Sequence, residues 1–174
     1  MKRNTIEAIP AERYNKLIKR LGLSQNGTAR FFDVSLNAAR RYARGEVPID
    51  PRTAMLLEIM VKHEIAPDEA VKLNRGGAMT ADHYGRLIKR LGLSQRGAAR
   101  FFGINDRTAR HYSAGTAPVD RRTGMLLEAM VKHKIAPDDA LRLIGVRPRA
   151  AAKAAVEATG YPTTAPRYYD YDEA

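Results

Sequence analysis

Residues 11–73 of this 174-residue chain align with residues 81–143 without a gap, at an offset of 70, and 38 of the 63 paired positions are identical. Self-similarity on this scale constrains the fold before any single residue is read, because whatever structure one copy adopts, the other adopts too. LIKRLGLSQ recurs at 17–25 and 87–95, ARFF at 29–32 and 99–102, and MLLE at 55–58 and 125–128. Each copy is long enough for a minimal folding domain, and two copies are too few for a solenoid. The expected organisation is two compact domains made by duplication: 1–73, a linker at 74–80, 81–146, and a tail at 147–174. Gly76-Gly77 marks the linker as a joint. The tail is alanine-rich at first. Pro162 and Pro166 then break it, and it ends in the acidic, aromatic YYDYDEA, so it is expected to be loosely ordered.

Within one copy the apolar spacing is helical. Tyr14, Leu17, Ile18 and Leu21 share a face, and Gly22 stops that segment. Ser24 is suited to cap a second helix running to about Phe32, and Ser35 a third running to about Ala43, with Gly45 as its stop. Pro51 fits the first turn of a fourth helix, whose buried face is Met55, Leu56, Ile59 and Met60. Pro67-Asp68 opens a short fifth helix to Leu73. No segment alternates as a strand bounded by hairpin turns does. The expected class is all-α, five helices per copy.

Composition narrows the partners. Lys and Arg number 30 against 19 Asp and Glu, a formal net charge of +11. Positions 11–73 carry net +3, 81–143 net +6 and 144–174 net 0, so most of the excess lies in the repeated units. Such a surplus favours polyanions, nucleic acid before an anionic membrane surface. No apolar run approaches the eighteen residues of a membrane span, and no apolar segment follows Lys2-Arg3 as it would in a signal peptide. Cysteine is absent, which removes disulfides, thiol nucleophiles and Cys-ligated zinc. Neither His63 nor His133 has a His or Cys nearby in sequence. Both are read as helix C-terminal residues in favourable contact with the dipole, not as metal ligands. His83 has no evident role. Phe31-Phe32 and Phe101-Phe102 are read as core. No phosphate loop, nucleophile elbow or zinc-protease motif is present, so catalysis, metal and cofactor are not expected.

The stretch LSQNGTARFFDVSLNAARRYARG, with LSQRGAARFFGINDRTARHYSAG in the second copy, resembles the Cro/repressor-type helix-turn-helix family, the lambda-repressor-like fold. The match rests on Leu23, Gln25, Ala29, Val34, Ser35, Ala39 and Gly45, and on Leu93, Gln95, Ala99, Gly103, Ile104, Ala109 and Gly115. Gly103 stands where that family has a turn glycine. Asp33 replaces it in the first copy and tolerates the left-handed conformation better than most residues. The resemblance implies sequence-specific binding of double-stranded DNA, with Gln25 and Gln95 positioning phosphate, and a bacterial or phage origin.

Comparing the copies locates the expected reading face. Six consecutive positions all differ, 33–38 against 103–108, while Ala39/Ala109, Arg40/Arg110 and Tyr42/Tyr112 do not. They cover the turn and the start of the third helix, which in this fold meets base edges in the major groove. The DNA-binding set is therefore Ser35, Leu36, Asn37 and Arg41 in the first copy. In the second it is Asn105, Asp106, Arg107, Thr108 and His111. By base chemistry Asn37 suits adenine, Arg41 and Arg107 guanine, Leu36 a thymine methyl and Asp106 cytosine. Arg40, Arg44, Arg52, Arg110, Arg121 and Arg122 are candidate phosphate clamps. Scaffold kept and reading face changed is the pattern expected of two different half-sites.

The expected function is transcriptional regulation, with repression as the expected sense, in the cytoplasm at the nucleoid. An accessory factor in excision, integration or plasmid maintenance shares every feature. A protein-interaction module, such as an antitoxin or antiactivator, would keep the fold without DNA binding. Monomer and homodimer both remain open, and the tyrosines at 161, 168, 169 and 171 leave room for a protein partner at the tail.

Overall fold

The computed structural model describes residues 9–73 and 79–146. Positions 74–78 of the expected joint and the whole tail from 147 lie outside the described residues. Ten helices account for the regular structure described: α1 (Ala11–Arg20), α2 (Gln25–Phe32), α3 (Leu36–Arg44), α4 (Pro51–Lys62), α5 (Pro67–Leu73), α6 (Ala81–Arg90), α7 (Gln95–Phe102), α8 (Asp106–Ala114), α9 (Arg121–Lys132) and α10 (Pro137–Leu143). Every helix of the second half sits 70 residues after its counterpart. Among the described residues the only β pairing is an isolated bridge between Met79 and Val119, and no helix is long and apolar enough to cross a membrane.

Local chemistry accounts for the boundaries. The Ser24 hydroxyl accepts from the Gly27 amide at 3.0 Å, and Ser35 from the Ala38 amide at 3.1 Å, each meeting one of the donors that a helix start leaves unpaired. Asp50 caps α4 through the amides of Arg52 and Thr53, with Pro51 in the first turn. Asp33 takes the left-handed conformation (φ 53°) that Gly103 takes in the second half (φ 65°). The composition of Glu64 and Lys134 does not suggest it, yet both are left-handed as well (φ 53° and 54°). There the chain turns back so that the Ile65 and Ile135 amides reach the carbonyls of Met60 and Met130, each at 2.8 Å. Burial of the two isoleucines follows that turn and offsets its strain.

α1 anchors the front of the first half. Tyr14 meets Tyr42 of α3 edge-on at 6.0 Å, Asn15 Nδ2 donates to the Ala43 carbonyl at 2.8 Å, and burial pushes the Tyr14 phenol up to about 12. Behind it, α4 is buried from Arg52 to Met60 without interruption. A helix buried on all sides needs neighbours on all sides. α4 packs on α1 within its own half and on α9 of the other. α9 likewise receives α5, and α4 receives α10. One apolar cluster therefore runs through both halves, including Phe31, Phe32, Met55–Leu57, Phe101, Phe102 and Met125–Leu127. Each fully buried Leu, Ile or Met in it contributes about 1.5–3 kcal/mol.

The back of this seam corrects the reading of two histidines. His63 and His133 do end α4 and α9, but their rings face each other with centroids 5.3 Å apart. Burial first, then His133 and Lys62, hold the His63 imidazole below its ordinary value of 6.5. The neutral ring is favoured, against the expectation of a dipole-stabilised cation. His83, without a role in sequence, pairs with Glu128 at 2.5 Å where the first half pairs Arg13 with Glu58 at 2.5 Å.

Two outcomes follow. Leu57→Ala will lower stability by about 2–5 kcal/mol. Denaturant unfolding of the variant will remain a single transition by circular dichroism, whereas independent halves would split it in two. A depressed imidazole value means that the unfolded chain binds the extra proton more readily. Stability is thus complete above about pH 6.5 and falls as acidity carries His63 through its lower folded value. The melting temperature will drop between about pH 7.5 and about pH 5.5, and His63→Gln will flatten that slope.

Candidate nucleic-acid interface

The α2–turn–α3 and α7–turn–α8 segments each carry a shallow cleft at the same place. In the first half it has a volume of about 400 Å³ and is lined by Ser24, Gln25, Asn26, Leu36, Arg40, Ala43 and Arg44. In the second it has about 240 Å³ and is lined by Gln95, Arg96, Asp106 and Arg110. Four equivalent pairs line both: 25/95, 26/96, 36/106 and 40/110. Three of those pairs belong to the residues expected from sequence to contact DNA. Gln25 Oε1 is shielded here with no hydrogen-bond partner, an unmet acceptor at the cleft wall.

Chemistry differs between the clefts. In the first half the corresponding positions, Asn26 and Leu36, are uncharged, and Arg40 and Arg44 supply the charge of the cleft. In the second, Arg96 reaches across to Asp106 at 3.5 Å, and Arg110 Nε donates to the Asp106 carbonyl at 3.4 Å. Asp106 is thereby matched to Arg96, a residue outside the sequence-derived set. Exposed side chains of the third helix include Asn37, Arg40, Arg41 and Arg44, and of the eighth Arg107 and Arg110. Leu36, Thr108 and His111 are half-buried. Ser35 and Asn105 serve as helix caps, the Asn105 carboxamide accepting from the Thr108 amide at 2.7 Å.

The ends of the two helices are wired differently. Glu46, just beyond the Gly45 stop, draws Arg41 to 3.7 Å and Arg44 to 3.4 Å. In the second half Ala114 replaces Arg44 and Thr116 replaces Glu46. The Thr116 hydroxyl meets His111 Nδ1 at 2.6 Å, and Arg107 Nε lies 3.4 Å from His111 Nε2. Glu46 and Thr116 were not singled out from sequence. The signal was present, because positions 41 and 46 change together between the copies.

Two expected phosphate clamps are not at this surface. Arg52 is 8% exposed. Its Nε and Nη2 donate to Asp50 at 3.0 and 2.7 Å, and its Nη1 donates across the seam to Asp120 at 2.7 Å. Arg122, its counterpart, is drawn to Asp120 at 3.6 Å and, across the seam, to Asp50 at 3.8 Å. Arg121 is half-buried in the first turn of α9. Burial works against the Arg52 charge, but Asp50 and Asp120 outweigh it and the guanidinium is held more firmly protonated than usual. Burial likewise pushes the Asp120 carboxyl up, while Arg52 and the hydroxyls of Thr123 and Tyr112 pull it further down, so it stays below the ordinary carboxylate value. A buried cation with two carboxylate partners is matched already and is not available to a phosphate.

Among the described residues no cluster of three or more His, Cys, Asp or Glu could hold a metal ion. No family model, no curated protein and no solved structure matches the chain.

Arg52→Ala removes the nearer cation from two half-buried carboxylates, leaving them only Arg122 at 3.6 and 3.8 Å, and will cost about 1–3 kcal/mol. Arg40→Ala, on the exposed face, will change stability by no more than about 0.5 kcal/mol. Urea midpoints separate the structural arginine from the surface one.

Proposed function

We propose that this chain binds double-stranded DNA sequence-specifically as a transcriptional regulator, with α2–α3 and α7–α8 as two helix-turn-helix units and α3 and α8 as their recognition helices. The observation that carries the reading is the paired cleft. The same glutamine and the same arginine, Gln25/Gln95 and Arg40/Arg110, stand beside a helix whose leading residues differ completely between the copies. Contacts to phosphate are indifferent to sequence and can be kept, whereas contacts to bases change with the half-site. The net charge of +11 supplies the non-specific attraction that such a protein needs. In this reading Gln25, Arg40, Arg44, Gln95 and Arg110 position the backbone. Leu36, Asn37 and Arg41 read one half-site, and Arg107 with His111 reads the other, while Asp106 holds Arg96.

Selection of bound duplexes from a random library at about 150 mM salt tests the function directly, since unspecific binding is suppressed there. Enrichment of a site with two unlike halves supports it. A folded protein that enriches nothing overturns it and leaves the protein-interaction reading. Within an enriched site, Arg107→Ala will cost about 1–3 kcal/mol at one base position of one half. Arg110→Ala will weaken all sequences alike and reduce the salt dependence.

A further inference from the structure

We infer that the two halves form one rigid body with an internal twofold, so that a single chain fits a DNA duplex whose two unlike half-sites run in opposite directions at one fixed separation. The inference rests on the DNA-binding reading above and specifies the geometry of its partner. A tandem repeat in sequence, joined by a short linker, would by itself suit half-sites in either orientation and at several spacings.

Reciprocity is what identifies the twofold. In an isologous contact, residue i of one unit meets residue j of the other, and j meets i. Position 52 meets position 120, and the equivalents 122 and 50 meet in return. The helix pairs obey the same exchange. α4 meets its own counterpart α9, while α5 on α9 is returned by α10 on α4. His63 meets its own counterpart His133, as a residue on the axis must. A head-to-tail arrangement would bring unlike patches together and produce none of these pairings.

The second recognition segment is tied into that seam. Tyr112, on α8, donates to Asp120 Oδ2 at 2.9 Å, the same oxygen that accepts from Arg52 of the other half. A Cβ added at Gly103, in the turn before α8, would lie 3.3 Å from Pro51 Cγ at the start of α4. α8 is thus placed by residues of the first half as well as its own. Arg13 Nη2 reaches the Leu143 carbonyl at 3.0 Å, and Lys132 meets Glu69 at 2.6 Å, further ties between the halves. Two heads related by a twofold present their reading faces in opposite senses. A duplex matches them when its half-sites are inverted and spaced so that both major grooves face the protein. Each inserted base pair rotates one half-site by about 34–36° relative to the other, with 10–10.5 base pairs per turn. A rigid body cannot follow that rotation.

Two measurements on the full chain test this. Duplexes carrying the selected half-sites will be titrated in inverted order, in direct order, and inverted with five added base pairs. A single half-site serves as control. The expected result is one-to-one binding to the inverted site, with direct and lengthened sites about 100-fold weaker, near the single half-site, because the second head can no longer add its share. Equal affinity for inverted, direct and lengthened sites overturns the rigid reader while leaving DNA binding intact. The second measurement needs no DNA. The chain lacks cysteine, so Lys16→Cys with Arg86→Cys places one spin label on each half. A single narrow distance distribution supports the lock, and a broad one overturns it even if DNA binding holds. A narrow distribution in a protein that binds no duplex, single half-site included, overturns the DNA reading alone and with it the partner named here.

Discussion

The Arg52 guanidinium, fixed between Asp50 of its own half and Asp120 of the other, stands at the centre of everything else in this structure. Stripping water from one cation and two carboxylates is expensive, and the ion pairs return that cost only when geometry is good and the remaining hydrogen-bond capacity is filled. Here it is filled. Asp120 Oδ2 accepts from Arg52, Thr123 and Tyr112, and Asp50 from Arg52 and two backbone amides. The apolar surfaces of α4 and α9 supply the association. The ionic group restricts them to one alignment, because any slip along the seam would strand buried charge. That division of labour matches what buried polar groups do best, which is to specify register more than to add stability.

Symmetry at the seam coexists with asymmetry at α3 and α8, the helices proposed to read DNA. Asp50/Asp120, Arg52/Arg122 and Thr53/Thr123 are identical in the two copies, but positions 33–38 and 103–108 share nothing. Even inside the seam the symmetry is approximate. Arg52 binds Asp120 at 2.7 Å, whereas Arg122 stands 3.8 Å from Asp50. Tyr112 meets Tyr84 edge-on as Tyr42 meets Tyr14, and in addition donates to Asp120. α8 is therefore wired more directly to the junction than α3.

Helix boundaries were legible in the sequence because their causes are local. A serine three residues ahead of an amide, a proline in a first turn and a glycine after the last turn act within one helical turn, so α2, α3 and α4 begin where those residues say, and α3 ends at the Gly45 stop. The seam was not legible, because its causes are 70 residues apart. An arginine in the first turn of an amphipathic segment reads as a solvated cation until its partner is known, and so Arg52 and Arg122 were expected at phosphate. The apolar face of α4 reads equally well as the core of one unit or as the junction of two. The histidines failed for a related reason. In one copy His63 has only a helix end for company, and its neighbour is its own counterpart. Left-handed Glu64 and Lys134 carry no compositional mark, since the isoleucine that follows each enforces the turn by its own burial.

Duplication within one chain changes what such a seam is for. In a homodimer, both protomers carry the same residues, and any change made in one is imposed on the other. Affinity also depends on the concentration at which monomers meet. A covalent pair escapes both constraints. The second copy is always present, and the heads are free to diverge, provided that the surfaces joining them do not. The residue pattern has that form: identity at 50, 52 and 53 with their counterparts, and replacement of Arg41–Glu46 by His111–Thr116 as a unit. The last exchange keeps a side chain bonded to the residue beyond the helix stop while trading a cation for an imidazole. Surface divergence includes the matched exchange of 41/46 for 111/116, whereas the polar residues at the centre of the junction, Asp50, Arg52 and Thr53, are kept unchanged as Asp120, Arg122 and Thr123.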